Sequence, residues 1–190
     1  MLNPPLVNLV TPRLILRGLH PEEYQIRMQA SESEKWSYFG FRNEEQAKLE
    51  EEKFKSGMHG YNRSFYHFYL IHRTSLNVIG ACGFHYWFTR HHRAEIGYGI
   101  YDLSDRHQGY MSEALPPILQ FGFEQLGLHR IEATLSPQNL PSLKLLQKNH
   151  FQEEGLLKGH YYNGSEFLDS LIMSLLRKDG DQEMTASSCA

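Results

Sequence analysis

The stretch Ser104–Ala114, S-D-R-H-Q-G-Y-M-S-E-A, constrains this chain more than any other. An apolar, glycine-bearing run, Ile96–Tyr101, precedes it and reads as a strand. Leu115–Leu126 follows, with Leu115, Ile118, Leu119, Gly122, Phe123 and Leu126 at helical spacing. A strand, a tight glycine turn and a helix start aim several backbone N–H groups at one spot. A helix N-terminus carries about half a positive charge, so it suits an anion. Gly109 lets a phosphate approach the backbone, and Arg106 and His107 add donors. Glycine turns are also common without any ligand, so the flanking residues must decide.

Those residues carry a resemblance. R-H-Q-G-Y-M, residues 106–111, resembles the Q/R-x-x-G-x-G/A signature of the GNAT family of acetyl-CoA-dependent N-acetyltransferases. The longer run Glu95–Leu115, E-I-G-Y-G-I-Y-D-L-S-D-R-H-Q-G-Y-M-S-E-A-L, is similar to the RimJ/RimL-like branch, which acetylates ribosomal-protein N-termini. So is the opening T-P-R-L-I-L-R, residues 11–17. A second block, Asn139–Gly155, resembles the N-x-x-S…K-x-G-F-x-x-E-G run of the same branch. The resemblance covers Thr11 to Leu176. Three positions depart from it: His107 and His150 stand where the branch has glycine, and Met111 where the signature has Gly or Ala. A histidine forced to positive φ is strained.

The resemblance implies transfer of an acetyl group from acetyl-CoA to a primary amine by direct attack in a ternary complex. A protein N-terminal α-amine is the leading acceptor; polyamines, other small amines, and a degenerate CoA-binding sensor remain open. The cofactor turn would comprise Arg106, His107, Gln108, Gly109, Tyr110, Met111 and Ser112. Gly97 and Gly99 weaken the preceding strand, so it should splay and leave backbone groups of Ile100, Tyr101 and Asp102 for the amides of a pantetheine arm. Asn139 would cap a helix and reach the cofactor. Leu146 stands where many family members have a proton-donating tyrosine, which leaves Ser142 to hydrogen-bond the sulfur.

Amine acetylation needs a neutral nucleophile. Glu95 is the candidate base, because a half-buried carboxylate beside a cleft can have a raised pKa. Its structural alternative is a surface pair with Arg93, and Tyr98 is the second candidate. Glu113 suits the dipole of the first helical turn and reads as stabilising. Trp36, Phe39, Tyr98 and Tyr161 are expected at the acceptor, although the aromatic run Ser33–Phe41 equally suits a helix corner on the core. Asp169 reads as a structural hydrogen-bonding group near Tyr161 or Tyr162.

Composition narrows the classes. A net charge of −3 argues against a nucleic-acid binder held by a broad basic surface. The two cysteines, Cys82 and Cys189, form no disulfide framework, and the eleven histidines show no metal spacing. No apolar run approaches the roughly 18–20 residues of a membrane span, and the N-terminus does not read as a signal peptide. A cytoplasmic protein is expected, with an exposed sheet edge able to support a homodimer.

The elements read in order as a strand at Arg13–Arg17 and a helix from Pro21. A helix capped by Asn43 and Gln46 runs to about His59, with a solvated acidic face. A hairpin follows at Phe65–His72 and Val78–Phe88, then a strand at Glu95–Tyr101. The helix after Gly109 is expected to run through Pro116-Pro117 with a kink. Strands at His129–Leu135, Phe151–Leu157 and Phe167–Leu176 and a helix at Leu140–Asn149 complete one domain, residues 1–178. Residues 179–190 read as a frayed polar tail. The fold expected is α/β: a mixed, mostly antiparallel sheet of about seven strands, splayed between the fourth and fifth, with about four helices.

Overall fold

A computed structural model describes residues 4–56 and 64–178. The tail 179–190, Cys189 and the expected helix end at His59 lie outside the described residues. The core is one eight-stranded sheet of β1 (Asn8–Val10), β2 (Leu14–Leu19), β3 (Ser64–His72), β4 (Val78–Phe88), β5 (Arg93–Ile100), β6 (Arg130–Leu135), β7 (Gln152–Tyr162) and β8 (Phe167–Leu176). The spatial order is β1-β2-β3-β4-β5-β6-β8-β7. Every pairing is antiparallel except β5 with β6. One more strand is present than expected, because three residues, Asn8–Val10, pair with Ile15–Arg17.

Among the described residues, five α-helices cover the sheet. Helices α1 (Pro21–Met28), α2 (Glu32–Phe39) and α3 (Glu44–Ser56) follow β2. Pro21 stands at the start of α1, and Ser31 with Glu34 forms a capping box on α2. Gln46 N–H donates to Asn43 Oδ1 at 2.9 Å, as the expected cap of α3 requires, while the Gln46 side chain accepts from Arg42 N and not from Asn43 N as a capping box would. Tyr24, Met28 and Phe39 join Leu19, Phe65, Tyr69, Ile71 and Val78 in one apolar cluster. Phe39 is therefore a core residue.

A larger cluster lies around α4 (Tyr110–Glu124), with α5 (Leu140–Lys148) contributing Leu146. Helix α4 starts directly after Gly109 and continues through Pro116 and Pro117. Each proline removes a ladder hydrogen bond at a cost of about 3 kcal/mol. Ala114, Leu115, Ile118, Leu119 and Phe121 are all buried on the sheet side of the helix. Burial at roughly 1.5–3 kcal/mol per large apolar side chain outweighs the prolines.

The parallel pair positions the site. β5 and β6 register only over Arg93–Glu95 and Arg130–Glu132. Beyond Glu95 the two strands diverge, while β5 stays paired with β4 up to Ile100. This is the expected splay, and it leaves one backbone edge of Ile96–Ile100 without a strand partner.

Candidate active site

Three cavities meet at the splay. The first, about 710 Å³, fills the gap and includes Glu95, Tyr98, Asn139, Ser142, His160 and Tyr161 in its wall. The second, about 470 Å³, runs along the cofactor turn and includes Ile100, Arg106, His107, Gly109, Met111 and Ser112. Tyr98, Asn139 and Ser142 belong to both. A third, about 380 Å³, lies over β3–β5 with Tyr24, Glu50, Phe65, His67, Tyr69 and Tyr101, and shares Tyr98 with the other two.

The turn is built for an anion. Gly109 holds φ +80°, and a Cβ there would meet nothing closer than Arg13 Nη2 at 3.6 Å. No side chain caps α4, and its first residues, Tyr110, Met111 and Ser112, line the second cavity. His107 and His150 hold φ +61° and +65°, the left-handed backbone that glycine adopts freely. The departures from the family pattern thus preserve the backbone path and accept the strain.

Arg13 and Glu113 lock the turn from behind. Glu113 accepts from Thr11 Oγ1 at 2.6 Å, Arg13 N at 2.7 Å and Arg13 Nε at 2.6 Å. Arg13 Nη1 donates to Gln108 O at 2.9 Å, and its guanidinium lies 4.5 Å from the Tyr110 ring centroid. Partial burial pushes the Glu113 carboxyl up, but the Thr11 and Arg13 contacts outweigh it and leave the pKa lowered. Glu113 is structural, as expected, through these partners as well as the dipole.

The structure redistributes several other expected cofactor residues. Tyr101 N donates to Ile79 O at 3.0 Å, so that amide is spent within the sheet, and its ring lines the third cavity. Asp102 pairs with Arg42, which also lies 3.7 Å from Asp105. Ile100 does line the second cavity, with its carbonyl accepting from Arg106 Nε at 3.4 Å. The Gln108 side chain closes the turn on Ser104 O at 2.7 Å. The Tyr110 side chain is buried under Arg13, leaving its backbone N–H for a ligand. Asn139 caps α5 by accepting from Ser142 N at 3.2 Å.

At the gap, Ser142 meets the Tyr98 phenol. Burial pushes Tyr98 up to about 12, against the opposing effect of that hydroxyl. Glu95 does not pair with Arg93, which bonds Glu132 at 2.8 Å. Its Oε1 instead lies 3.6 Å from His85 Nε2. Burial pushes the Glu95 carboxyl up, but His85, Thr134 and His160 outweigh it and leave the pKa below the ordinary carboxylate value. This is the reverse of the raised value expected for a base. Asp169 bonds Lys158 Nζ at 2.7 Å and Gly159 N at 2.9 Å, a structural role on different partners from those expected.

Tyr98 and Tyr161 border the gap, whereas Trp36 packs edge-on against Phe41 at 5.9 Å and lines none of the three cavities. Sequence reasoning missed His85 and His160. The hairpin register sets His85 opposite Glu95, but a bulge between His85 and Phe88 hides that pairing from a simple residue count. Among the described residues, no cluster could hold a metal ion and no helix is long and apolar enough to cross a membrane.

The residues present fit acetyl-CoA. Unpartnered helix N–H groups suit its diphosphate, the free edge of β5 suits its amide arm, and the gap leads from one to the other. Comparison with known proteins agrees. Residues 13–152 match the model of the acetyltransferase (GNAT) domain. The uncharacterized N-acetyltransferase YnaD of Bacillus subtilis is 31% identical over 91% of this chain and 99% of its own. The uncharacterized N-acetyltransferase p20 of Bacillus licheniformis is 40% identical over 59% of this chain, spanning 62% of that protein. In fold, the chain resembles the ribosomal-protein-S5-alanine acetyltransferase from Vibrio fischeri, with TM-score 0.64 and 19% identity over 91% of this chain and 98% of that one. It also resembles the Vibrio cholerae spermidine N-acetyltransferase in complex with CoA and spermine, with TM-score 0.62 and 22% identity over 86% and 95%. The chain therefore belongs to the GNAT acetyltransferase family and is an N-acetyltransferase of that type.

Proposed function

We propose that this enzyme acetylates a single primary amine at a protein N-terminus, using acetyl-CoA. The observation that carries the choice of acceptor is charge pairing. Three of the four acidic side chains in the walls of the three cavities are met by a lysine or arginine, which leaves Glu95 for one cationic amine. Glu95 faces His85, Asp169 bonds Lys158, Glu50 bonds Lys53 at 3.2 Å, and Asp105 lies near Arg42. A polyamine carries several spaced cations and calls for several uncompensated carboxylates. A peptide N-terminus carries one, with an extended apolar and amide-bearing chain behind it. The aromatic third cavity, with Tyr24, Phe65, Tyr69 and Tyr101, suits such a chain.

Acetyl-CoA, when bound, supplies the acetyl thioester. The amides of Gly109 to Ser112 hold the diphosphate, with Arg106, His107 and Met111 around it. The free edge of β5 near Ile100 and the carboxamide of Asn139 orient the amide arm. Ser142 donates to the sulfur and supports departure of the thiolate, with the Tyr98 phenol, protonated throughout the neutral range, behind it. Glu95 stays ionised and draws the acceptor's ammonium into the gap. The sequence motifs that resemble the RimJ/RimL-like ribosomal-protein acetyltransferases support the same acceptor class.

The test is turnover, read as free thiol, on a panel of N-terminal peptides, spermidine, spermine and small amines. The peptides are expected to show kcat/KM at least about tenfold above the polyamines, which is about 1.4 kcal/mol of transition-state preference. Preference for spermidine would reverse the assignment.

A further inference from the structure

We propose that His85 is the group that takes the proton from the acceptor's ammonium, with Glu95 holding its imidazole in place. The proposal rests on the amine-acetyltransferase reading above and deepens it. Its first support is position. Only His85, Gly97 and Tyr98 line both the gap and the aromatic third cavity, so they mark where an acceptor entering from that cavity reaches the gap. Of these three, His85 alone carries a ring nitrogen that can take up a proton.

The second support is the seat made for the ring. A Cβ on Gly97 would stand 2.5 Å from His85 Cε1 and 2.8 Å from Nδ1. The imidazole therefore lies across β5 in the space a side chain would fill. His85 and Glu95 are register partners on β4 and β5, and Nε2 faces the carboxylate at 3.6 Å. One ring nitrogen is oriented by Glu95, and the other lies over the glycine. In the left-handed turn of Tyr86 (φ +49°) the strand bulges directly after His85.

The neighbours leave His85 as the acceptor of the proton. Glu95 is held below the ordinary carboxylate range and Tyr98 is pushed up to about 12, so neither takes a proton readily from an ammonium. From β3, His67 is pushed down to about 4 by burial and stays neutral. From α3, Glu50 and Lys53 satisfy each other. From β8, Asp169 is tied to Lys158. Tyr86 and, from β7, His160 and Tyr161 complete the titratable groups around the gap among the described residues.

The proton balance closes. One ammonium N–H bond breaks as an imidazole N–H forms, freeing the nitrogen lone pair for attack on the thioester carbon. The second proton leaves nitrogen as the amide forms and ends on the departing sulfur beside Ser142. His85 returns the first proton to water, so each turnover yields an amide, a thiol and one released proton.

The experiment is the pH dependence of kcat/KM for the best peptide of the panel, on wild type, His85→Gln and Gly97→Ala, alongside calorimetric titration of acetyl-CoA. His85→Gln is expected to lose about 100-fold at pH 6.5, within the usual range for a lost general base. The loss should shrink to about fivefold or less at pH 9.5, because an α-amine with a pKa near 8 then arrives neutral. Gly97→Ala keeps both groups but unseats the ring, and should show the same pH-dependent loss at smaller size. Acetyl-CoA affinity should stay within about twofold of wild type in His85→Gln, because His85 belongs neither to the turn nor to the free edge of β5. A loss equal at both pH values, or no loss, overturns the role of His85. Absence of wild-type turnover on every amine overturns the functional reading and the proposal with it.

Discussion

The two ends of the cleft are made of different material. The end proposed for the cofactor is main chain: one turn, residues 106–111, one helix start and one bare strand edge. The end proposed for the acceptor is side chain, collected from β3, β4, β5, α3, β7 and β8 among others. A site made of backbone tolerates exchange of its residues so long as φ is kept, which is how histidine stands at 107 at positive φ. A site made of side chains changes its chemistry with each substitution. The contrast explains how one fold keeps its cofactor while its acceptors vary.

The largest effect expected from breaking this contrast is at Gly109. Gly109→Trp puts a strained side chain where the diphosphate must lie, and calorimetry should find acetyl-CoA affinity reduced at least about 100-fold. Retained affinity would show that the turn is not the anion site. Ser142→Ala acts where the two ends meet. It should lower kcat about tenfold with acetyl-CoA affinity unchanged, within the range for a lost proton donor. An unchanged kcat would clear Ser142 of that role.

Much of this was legible before the fold was known, and the pattern of misses follows the same contrast. The turn, the helix start and the splay occupy one contiguous stretch with its own glycine signature, so they read directly. The path of α4 through Pro116-Pro117 was legible because the anion site demands a helix start at Gly109. Side-chain direction was harder. Tyr101 turns its ring to the acceptor face and spends its amide on Ile79, an outcome of strand alternation and pairing that composition does not reveal. Phe39 sits in the core because α2 lays it between Tyr24 and Tyr69. His85 was hidden by the bulge after it, and β1 by its length of three residues.

Smaller effects sharpen the comparison. Arg13→Ala should raise the KM for acetyl-CoA about fivefold and leave kcat near wild type, because it loosens the turn without touching the gap. The estimate is about 1 kcal/mol, discounted because the Arg13 side chain is 43% exposed. A fall in kcat of the same size would place Arg13 in catalysis. The smallest effect expected is on stability. His67 has a folded pKa of about 4, below its ordinary 6.5, because burial disfavours the charged ring. In the unfolded chain it binds a proton below 6.5, so stability falls as pH drops from 6.5 and the loss is complete near 4. Thermal melts of His67→Gln should show a shallower decline across that window than wild type. Parallel curves would mean the ring is not held neutral by the fold.

The central claim is that main-chain amides at the start of α4 grip the diphosphate and that the amide arm threads between β5 and β6. A crystal structure with CoA bound measures this directly. The account predicts diphosphate oxygens within hydrogen-bond distance of the Gly109–Ser112 amides and the arm beside Ile100. Density for CoA over Glu50 and Tyr101 on the acceptor face, with the turn empty, would contradict it.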